Sequence, residues 1–159
     1  MEDAQAAGYR FSFGAEMEFY LFKTDEHGEP TREPYDHAGY MDIAPDDRGE
    51  NIRREIWPDA GADGIRPESS HHEEGPGQNE IDFRYSDPLT AADNAVTFRS
   101  VVQTIAARSG LWGGFLLPKP LSDAPGSGLH INLSVHGGVD TEPQVIAGLL
   151  RHAYDITAF

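Results

Sequence analysis

Glu16 and Glu18 flank a single residue in GAEMEFYLF (residues 14–22), an otherwise apolar and aromatic run. Two carboxylates at this spacing on a strand project from the same face. The stretch SHHEEGPGQNEIDFRY (70–85) adds Glu73 and Glu80 on either side of a tight Gly75-Pro76-Gly77 turn, and LHINLSV (129–135) adds His130. If these strands neighbour one another, four carboxylates and an imidazole converge on one pocket. Such a cluster repels itself, and some of its carboxyls must stay protonated unless cations neutralise it. Carboxylate oxygens suit Mg²⁺ or Mn²⁺, and an imidazole shifts a site toward Mn²⁺. Two such ions side by side suit phosphoryl transfer, because they bridge phosphate oxygens and neutralise developing charge.

Each feature taken singly has a plainer reading. A Glu-x-Glu pair is also what the solvent face of an amphipathic strand looks like, although the neighbours Phe19, Tyr20 and Phe22 argue against full exposure. His71-His72 reads as a polar strand end, His130 as a hydrogen-bonded histidine, and Gly126-Ser127-Gly128 as a plain loop. Spacing alone leaves both readings open; convergence in space is what separates them.

The elements that must position these residues follow from periodicity. Residues 11–23 read as a strand with Met17, Phe19 and Leu21 on one face and Glu16, Glu18, Tyr20 and Phe22 on the other. Residues 24–39 read as a loop rich in Asp, Glu, Gly, Pro and His. GYMDIAPDDRGENIRREIW (39–57) passes from a short extended piece into a helix capped by Asp46 or Asp47, with Ile52 and Ile56 on one side and Pro58 ending it. A strand is expected over 65–72, and a second where Glu80, Asp82 and Arg84 alternate with Ile81, Phe83 and Tyr85. The segment 86–110 is the clearest helix: Asp87 caps it, Pro88 suits its first turn and Gly110 lies just past its end. Residues 111–118 read as a strand and 119–128 as a loop. A further strand follows in which His130, Asn132 and Ser134 share one face. Thr141 with Gln144 resembles a capping box for a last helix that presents Val145, Leu149, Ala153 and Ile156 and runs to Phe159 without a stop signal. This order predicts an α+β fold, a mainly antiparallel sheet with helices on one side.

Composition narrows the function classes. A chain of 159 residues suggests one domain. The formal net charge of −15, with Lys and Arg scarce, argues against a nucleic-acid partner. No cysteine is present, which excludes disulfides and thiolate metal sites. No apolar run reaches the length of a membrane span, and the N-terminal stretch MEDAQAAGYRFSF lacks a signal-peptide pattern, so the expectation is a cytoplasmic protein with no membrane partner.

Six motifs then occur in a fixed order: GAEMEFYLF, GYMDIAPDD, SHHEEGPGQNEIDFRY, LTAADNAVTFRSVV, LPKPL and GSGLHINLS. Together they resemble the first half of the catalytic domain of bacterial class I glutamine synthetase, from about Gly8 to the end of the chain. The resemblance implies a ligase that makes glutamine from glutamate and ammonia, with ATP as co-substrate and γ-glutamyl phosphate as intermediate. It implies that Glu18, Glu73 and Glu80 hold a first Mg²⁺ or Mn²⁺ and that Glu16 and His130 contribute to a second. It implies nucleotide contacts from Glu68, Tyr85, Asn132 and Ser134, and glutamate contacts from Gly126 and His130. Two positions depart from the family's habit: Pro125 stands where an asparagine usually precedes the GSG turn, and Asn132 where many relatives carry histidine. By the same resemblance residues 1–159 form a single partial domain, without the family's N-terminal β-grasp domain or the second half of the catalytic domain. The parent would be a homo-dodecamer and the piece inactive alone. Two other readings share the same residues: a fragment of a γ-glutamyl-amine (polyamine) ligase, and a non-catalytic acidic metal-binding module.

Overall fold

One long strand organises the molecule. The computed structural model describes residues 2–62, 64–115, 120–137 and 142–156. The elements in chain order are α1 (Glu2–Ala6), β1 (Arg10–Thr24), β2 (Pro30–Pro34), α2 (Gly49–Ala62), β3 (Pro67–His72), β4 (Gln78–Phe83), α3 (Pro88–Arg108), β5 (Leu111–Gly114), β6 (Leu129–His136) and α4 (Glu142–Ile156). All strand pairings are antiparallel, and β1 carries four of them. Along one edge it pairs β6 over Arg10–Met17 and then β5 over Tyr20–Lys23. Along the other it pairs β4 over Glu16–Tyr20 and then β2 over Phe22–Thr24, with β3 outside β4. The middle of β1 is therefore flanked on both sides, which is where Glu16 and Glu18 lie.

The alternation read from the sequence holds. Ala15, Met17, Phe19 and Leu21 face a core shared with Ile52, Ile56 and Ala60 of α2 and Phe98, Val102 and Ile105 of α3. Phe98 is its hub, edge-on to Phe83 at 4.7 Å between ring centroids and to Phe19 at 6.1 Å. On the opposite face Tyr20 stacks on Phe22 at 5.5 Å, and with Ala124 they form a second, smaller cluster that ties the 121–128 loop to the sheet. Asp87 caps α3 as expected, accepting the Leu89 and Thr90 N–H groups, and Gly110 follows it with φ +69°.

α3 lies close on β5. A Cβ on Gly113 would meet Val102 Cγ1 at 3.0 Å and Ala106 Cβ at 3.2 Å. Gly113→Ala is expected to cost about 1–3 kcal/mol by overpacking, read as a lower urea midpoint with an unchanged m value.

Two expectations need correction. Residues 24–39 are not all loop, since Pro30–Pro34 forms β2. The far end of β1 offers unpaired backbone, and a short Pro-bounded polar segment is acceptable on a sheet edge. Pro58 does not end α2, which continues to Ala62 with Pro58 inside it. Ile56 and Ala60 are fully buried on either side of it, and that packing offsets the one helical hydrogen bond proline forgoes. The five-residue α1 had no periodic pattern to announce it. Thr141 and residues 116–118 lie outside the described residues.

α4 buries none of its described side chains. Ile146, Leu149, Leu150 and Ile156 are exposed there, as are Leu129 and Ile131 on β6, so an apolar strip borders this edge of the sheet. Among the described residues no helix is long and apolar enough to cross a membrane.

Candidate metal centre

Register brings the acidic residues together. On one face of the sheet Glu16 lies opposite His130 on β6 and Asp82 on β4, while Glu18 lies opposite Glu80, which itself lies opposite His71 on β3. Directly opposed residues in an antiparallel ladder point the same way, so the row is fixed by pairing alone. Glu73 reaches it from the hairpin that joins β3 to β4. That turn is closed by the Glu73 N–H to the Gln78 carbonyl at 2.9 Å and the Gln78 N–H to the Gly75 carbonyl at 2.8 Å. Gly77 takes φ +71° within it, and a Cβ there would strike the Leu21 carbonyl oxygen at 2.7 Å, so glycine is required.

Two groups of ligand atoms form around Glu80. One atom each from Glu16, Glu80 and His130 lie within 4.8 Å of one another, as do one each from His71, Glu73 and Glu80. His71 Nε2 stands 2.8 Å from Glu73 Oε1 and 3.1 Å from Glu80 Oε2, and His130 Nδ1 stands 3.4 Å from Glu16 Oε2. Glu18 joins neither tight group. Its Oε2 accepts the Gln78 side-chain amide at 2.6 Å and the Gly128 N–H at 2.8 Å, and neither bond uses Oε1.

The crowding has an electrostatic signature. Burial, a hydrogen bond shared with Glu73, and the charges of Asp82, Glu73 and Glu18 push the Glu80 carboxyl up to about 9. At neutral pH the metal-free chain therefore keeps one proton in the cluster. Burial and the charges of Glu18 and Glu73 likewise hold the Tyr20 phenol protonated far into the alkaline range. A donor set of carboxylate oxygens with one or two imidazoles, short of positive charge, fits a hard divalent cation of the Mg²⁺ or Mn²⁺ kind.

A third cluster, Asp36, Asp47 and His72, lies buried beneath the β3–β4 hairpin. It is already neutralised. Arg53 Nη2 sits 2.7 Å from Asp47 Oδ2, and His72 bridges the Asp36 carboxylate at 2.8 Å and the Glu73 carbonyl at 2.7 Å. Both partners of the His72 ring are acceptors, so both ring nitrogens donate and the ring is cationic. Burial opposes that charge, but the bonds to Asp36 and Glu73 outweigh it and raise the His72 pKa. Burial alone would raise Asp36, yet the His72 bond and charge and the N–H groups of Arg48 and Gly49 hold it low. This cluster braces the hairpin that bears Glu73.

The remaining predicted site residues separate. Tyr85 and Asn132 flank Gly14, whose Cβ position is 3.9 Å from both the Tyr85 Cα and the Asn132 Cβ, and Ser134 is paired with Ser12 one step along. Asn132 Nδ2 donates to Glu16 Oε1 at 2.6 Å, which ties this exposed strip to the acidic row. Glu68 stands apart, exposed in the bulge between Pro67 and Ser69 on the outer strand β3. Gly126 lies in the 121–128 loop beside Gln78, whose amide reaches its carbonyl at 3.3 Å.

Sequence reasoning passed over Gln78 and read His71 as a polar strand end, although Gln78 shares strand parity with Glu80 and that alternation places it on the acidic face. It also passed over Asp36, which no periodic pattern marks.

Solved structures share this architecture. A GmaS–ADP complex aligns with TM-score 0.81 at 28% identity, covering 99% of this chain and 40% of that one. The Plasmodium falciparum glutamine synthetase aligns with TM-score 0.80 at 22% identity, covering 99% and 39%, a likeness of fold. By sequence, the glutamine synthetase of Staphylococcus aureus strain MW2 is 49% identical over 151 residues, 93% of this chain and 34% of that protein. That of Clostridium saccharobutylicum is 44% identical over 170 residues, 98% and 38%. The profile of the family described as glutamine synthetase, catalytic domain, matches residues 1–159, and the chain belongs to that family. It spans about a third of the length of these two relatives.

Proposed function

We propose that this chain supplies the first half of the catalytic domain of an ATP-dependent ligase that joins ammonia to glutamate through γ-glutamyl phosphate. The observation that carries the reading is that ligand atoms of Glu16, Glu80 and His130, and of His71, Glu73 and Glu80, lie within 4.8 Å of one another on the face of the sheet that also bears Glu18, backed by a well-packed core. Glu18, Glu73 and Glu80 would hold one divalent cation on the glutamate side, and Glu16 and His130 part of a second on the nucleotide side. When bound, the two cations screen the carboxylate of glutamate and the triphosphate of ATP from each other.

The chain's own residues have distinct tasks in this reading. Gly126, with His130 beside it, receives the amino acid. Tyr85, Asn132 and Ser134 line the way to the nucleotide, and Glu68 meets it from β3. His130 orients and ligates rather than removing a proton, because a ring nitrogen given to a cation has no lone pair left for one. By fixing where the cations would sit, the carboxylates set the geometry in which two anionic substrates would meet, and such positioning contributes to rate.

The same reading makes the parent a cytoplasmic homo-oligomer, a dodecamer by its family. It also makes this polypeptide inactive alone, since a third of the relatives' length supplies part of each site. Titration calorimetry of Mn²⁺ into wild type, Glu18→Ala and Glu73→Ala tests the centre. Each variant is expected to lose at least about tenfold in affinity, on the scale of lost ligands and their supports. Unchanged curves in both would remove the support for the ligase reading. A γ-glutamyl-amine ligase would use the same residues, and the full-length parent's turnover with ammonia against putrescine separates the two; ammonia is expected to win.

A further inference from the structure

Gln78 is fully buried, and its amide donates both hydrogens and accepts one at its oxygen. Its Nε2 donates to Glu18 Oε2 at 2.6 Å and to the Gly126 carbonyl at 3.3 Å. Its Oε1 accepts the Gly75 N–H at 2.9 Å and lies 3.2 Å from the Tyr20 hydroxyl. The partners dictate the orientation, since a carboxylate and a carbonyl can only accept and a backbone N–H can only donate. The Tyr20 hydroxyl continues the chain of contacts to the Pro125 carbonyl at 2.6 Å.

One side chain thus ties together an acidic-row carboxylate, the turn that carries Glu73, and the 125–128 loop. The loop makes a second connection of its own, because the Gly128 N–H also donates to Glu18 Oε2. Two donors hold Oε2, and Oε1, which takes part in neither bond, lies beside Gly128, where a Cβ would meet it at 2.6 Å. We propose that Gln78 is a positioning residue that couples cation binding at Glu18 to the placement of the Gly126 carbonyl. The inference rests on the metal reading above and deepens it. A cation drawing on Glu18 alters the bond from Gln78, and the amide's other hydrogen transmits the change to Gly126. Linkage makes the coupling reciprocal: an amino acid held at the loop raises cation affinity by the factor by which the cation raises its own.

The test is Mg²⁺ titration of the ¹⁵N-labelled 159-residue chain, with Mn²⁺ calorimetry on the same variants. The Ser127 amide shares a peptide plane with the Gly126 carbonyl and reports on it. In wild type the Ser127 and Gly128 amides are expected to shift with one midpoint. In Gln78→Met the cation affinity falls about tenfold, the Ser127 response vanishes and the Gly128 response persists, because that N–H keeps its own bond to Glu18. A general loss of structure would abolish both. Tyr20→Phe removes only the hydroxyl and is expected to shrink the Ser127 response with affinity changed less than about threefold; it decides the matter if Gln78→Met does not fold. A Ser127 response like wild type's in the deciding variant overturns the coupling. Glu18→Ala separates the two levels. If it loses cation binding while Gln78→Met keeps wild-type behaviour, only the coupling fails; if it keeps full affinity, the metal reading fails and the coupling with it.

Discussion

Glu80→Gln is expected to melt at a higher temperature than wild type at pH 8 without metal, and to lose nearly all response to Mn²⁺. Glu80 ionises in the folded chain only near pH 9, against an ordinary value of 4.5, because it is buried, bonded to Glu73 and faced by Asp82, Glu73 and Glu18. Between these values the folded chain keeps a proton that the unfolded chain releases. Stability from this group is thus fully present below about pH 4.5 and drains away as pH rises toward 9. Glutamine has no proton to lose, so this part of the slope disappears in the variant. On the proposed reading, Mn²⁺ binds the folded wild type and takes the proton's place. At a hundredfold excess over its dissociation constant it adds about 2.7 kcal/mol, a rise of roughly 5–10 °C for a chain of this size. In Glu80→Gln the rise should stay below about 2 °C by the same conversion. Scanning calorimetry at pH 5, 7 and 9, with chelator and with Mn²⁺, reads all of this. A variant with wild type's pH slope and metal response would show that Glu80 is not the proton's place.

The second large effect concerns stability alone. Arg53 is buried, and its guanidinium spans Asp47 through Nη1 at 3.2 Å and Nη2 at 2.7 Å while also reaching Asn79 Oδ1. Asp47 in turn accepts the Glu50 N–H at the start of α2. Arg53→Ala leaves a buried carboxylate without its counter-charge, and the loss is expected to be about 3–5 kcal/mol in urea unfolding. Asp47→Asn in the same background should recover part of it, since the stranded charge is the main cost. The pair itself need not be strongly stabilising, because desolvation offsets much of its attraction and Arg53 Nε has no hydrogen-bond partner among the described residues. If Arg53→Ala unfolds within 1 kcal/mol of wild type, water reaches Asp47, and the buried network does not brace the hairpin as described; that threshold is the typical scale of a surface pair.

Much of the site was legible because strand parity carries so much information. Period-two alternation put Met17, Phe19 and Leu21 on the core face and Glu16 and Glu18 on the other, and the structure agrees. The same rule, applied to one more residue, places Gln78 beside Glu80. It also separates His71, on the acidic face, from His72, which points under the sheet to Asp36. Helix α3 was readable at both ends, since Asp87, Pro88 and Gly110 act through bonds only a few residues long. Helix α2 was misread at Pro58 because tertiary burial of Ile56 and Ala60 overrode a local penalty.

By itself the sequence determined the type of the longer strands and helices, though not β2 or α1, the faces on which carboxylates and apolar side chains fall, and, through six ordered motifs, the family. Those follow from interactions between near neighbours along the chain and from side-chain chemistry. Only the tertiary structure decided that β1 lies between β4 and β6, that Glu80 is crowded enough to keep its proton, that β2 completes the edge, and that Asp36 and Gln78 lock the hairpin and the loop in place. Pairing partners more than 110 residues apart, such as Met17 with Leu129 or Glu16 with His130, are chosen by the packing of the whole sheet, and no local rule carries that information.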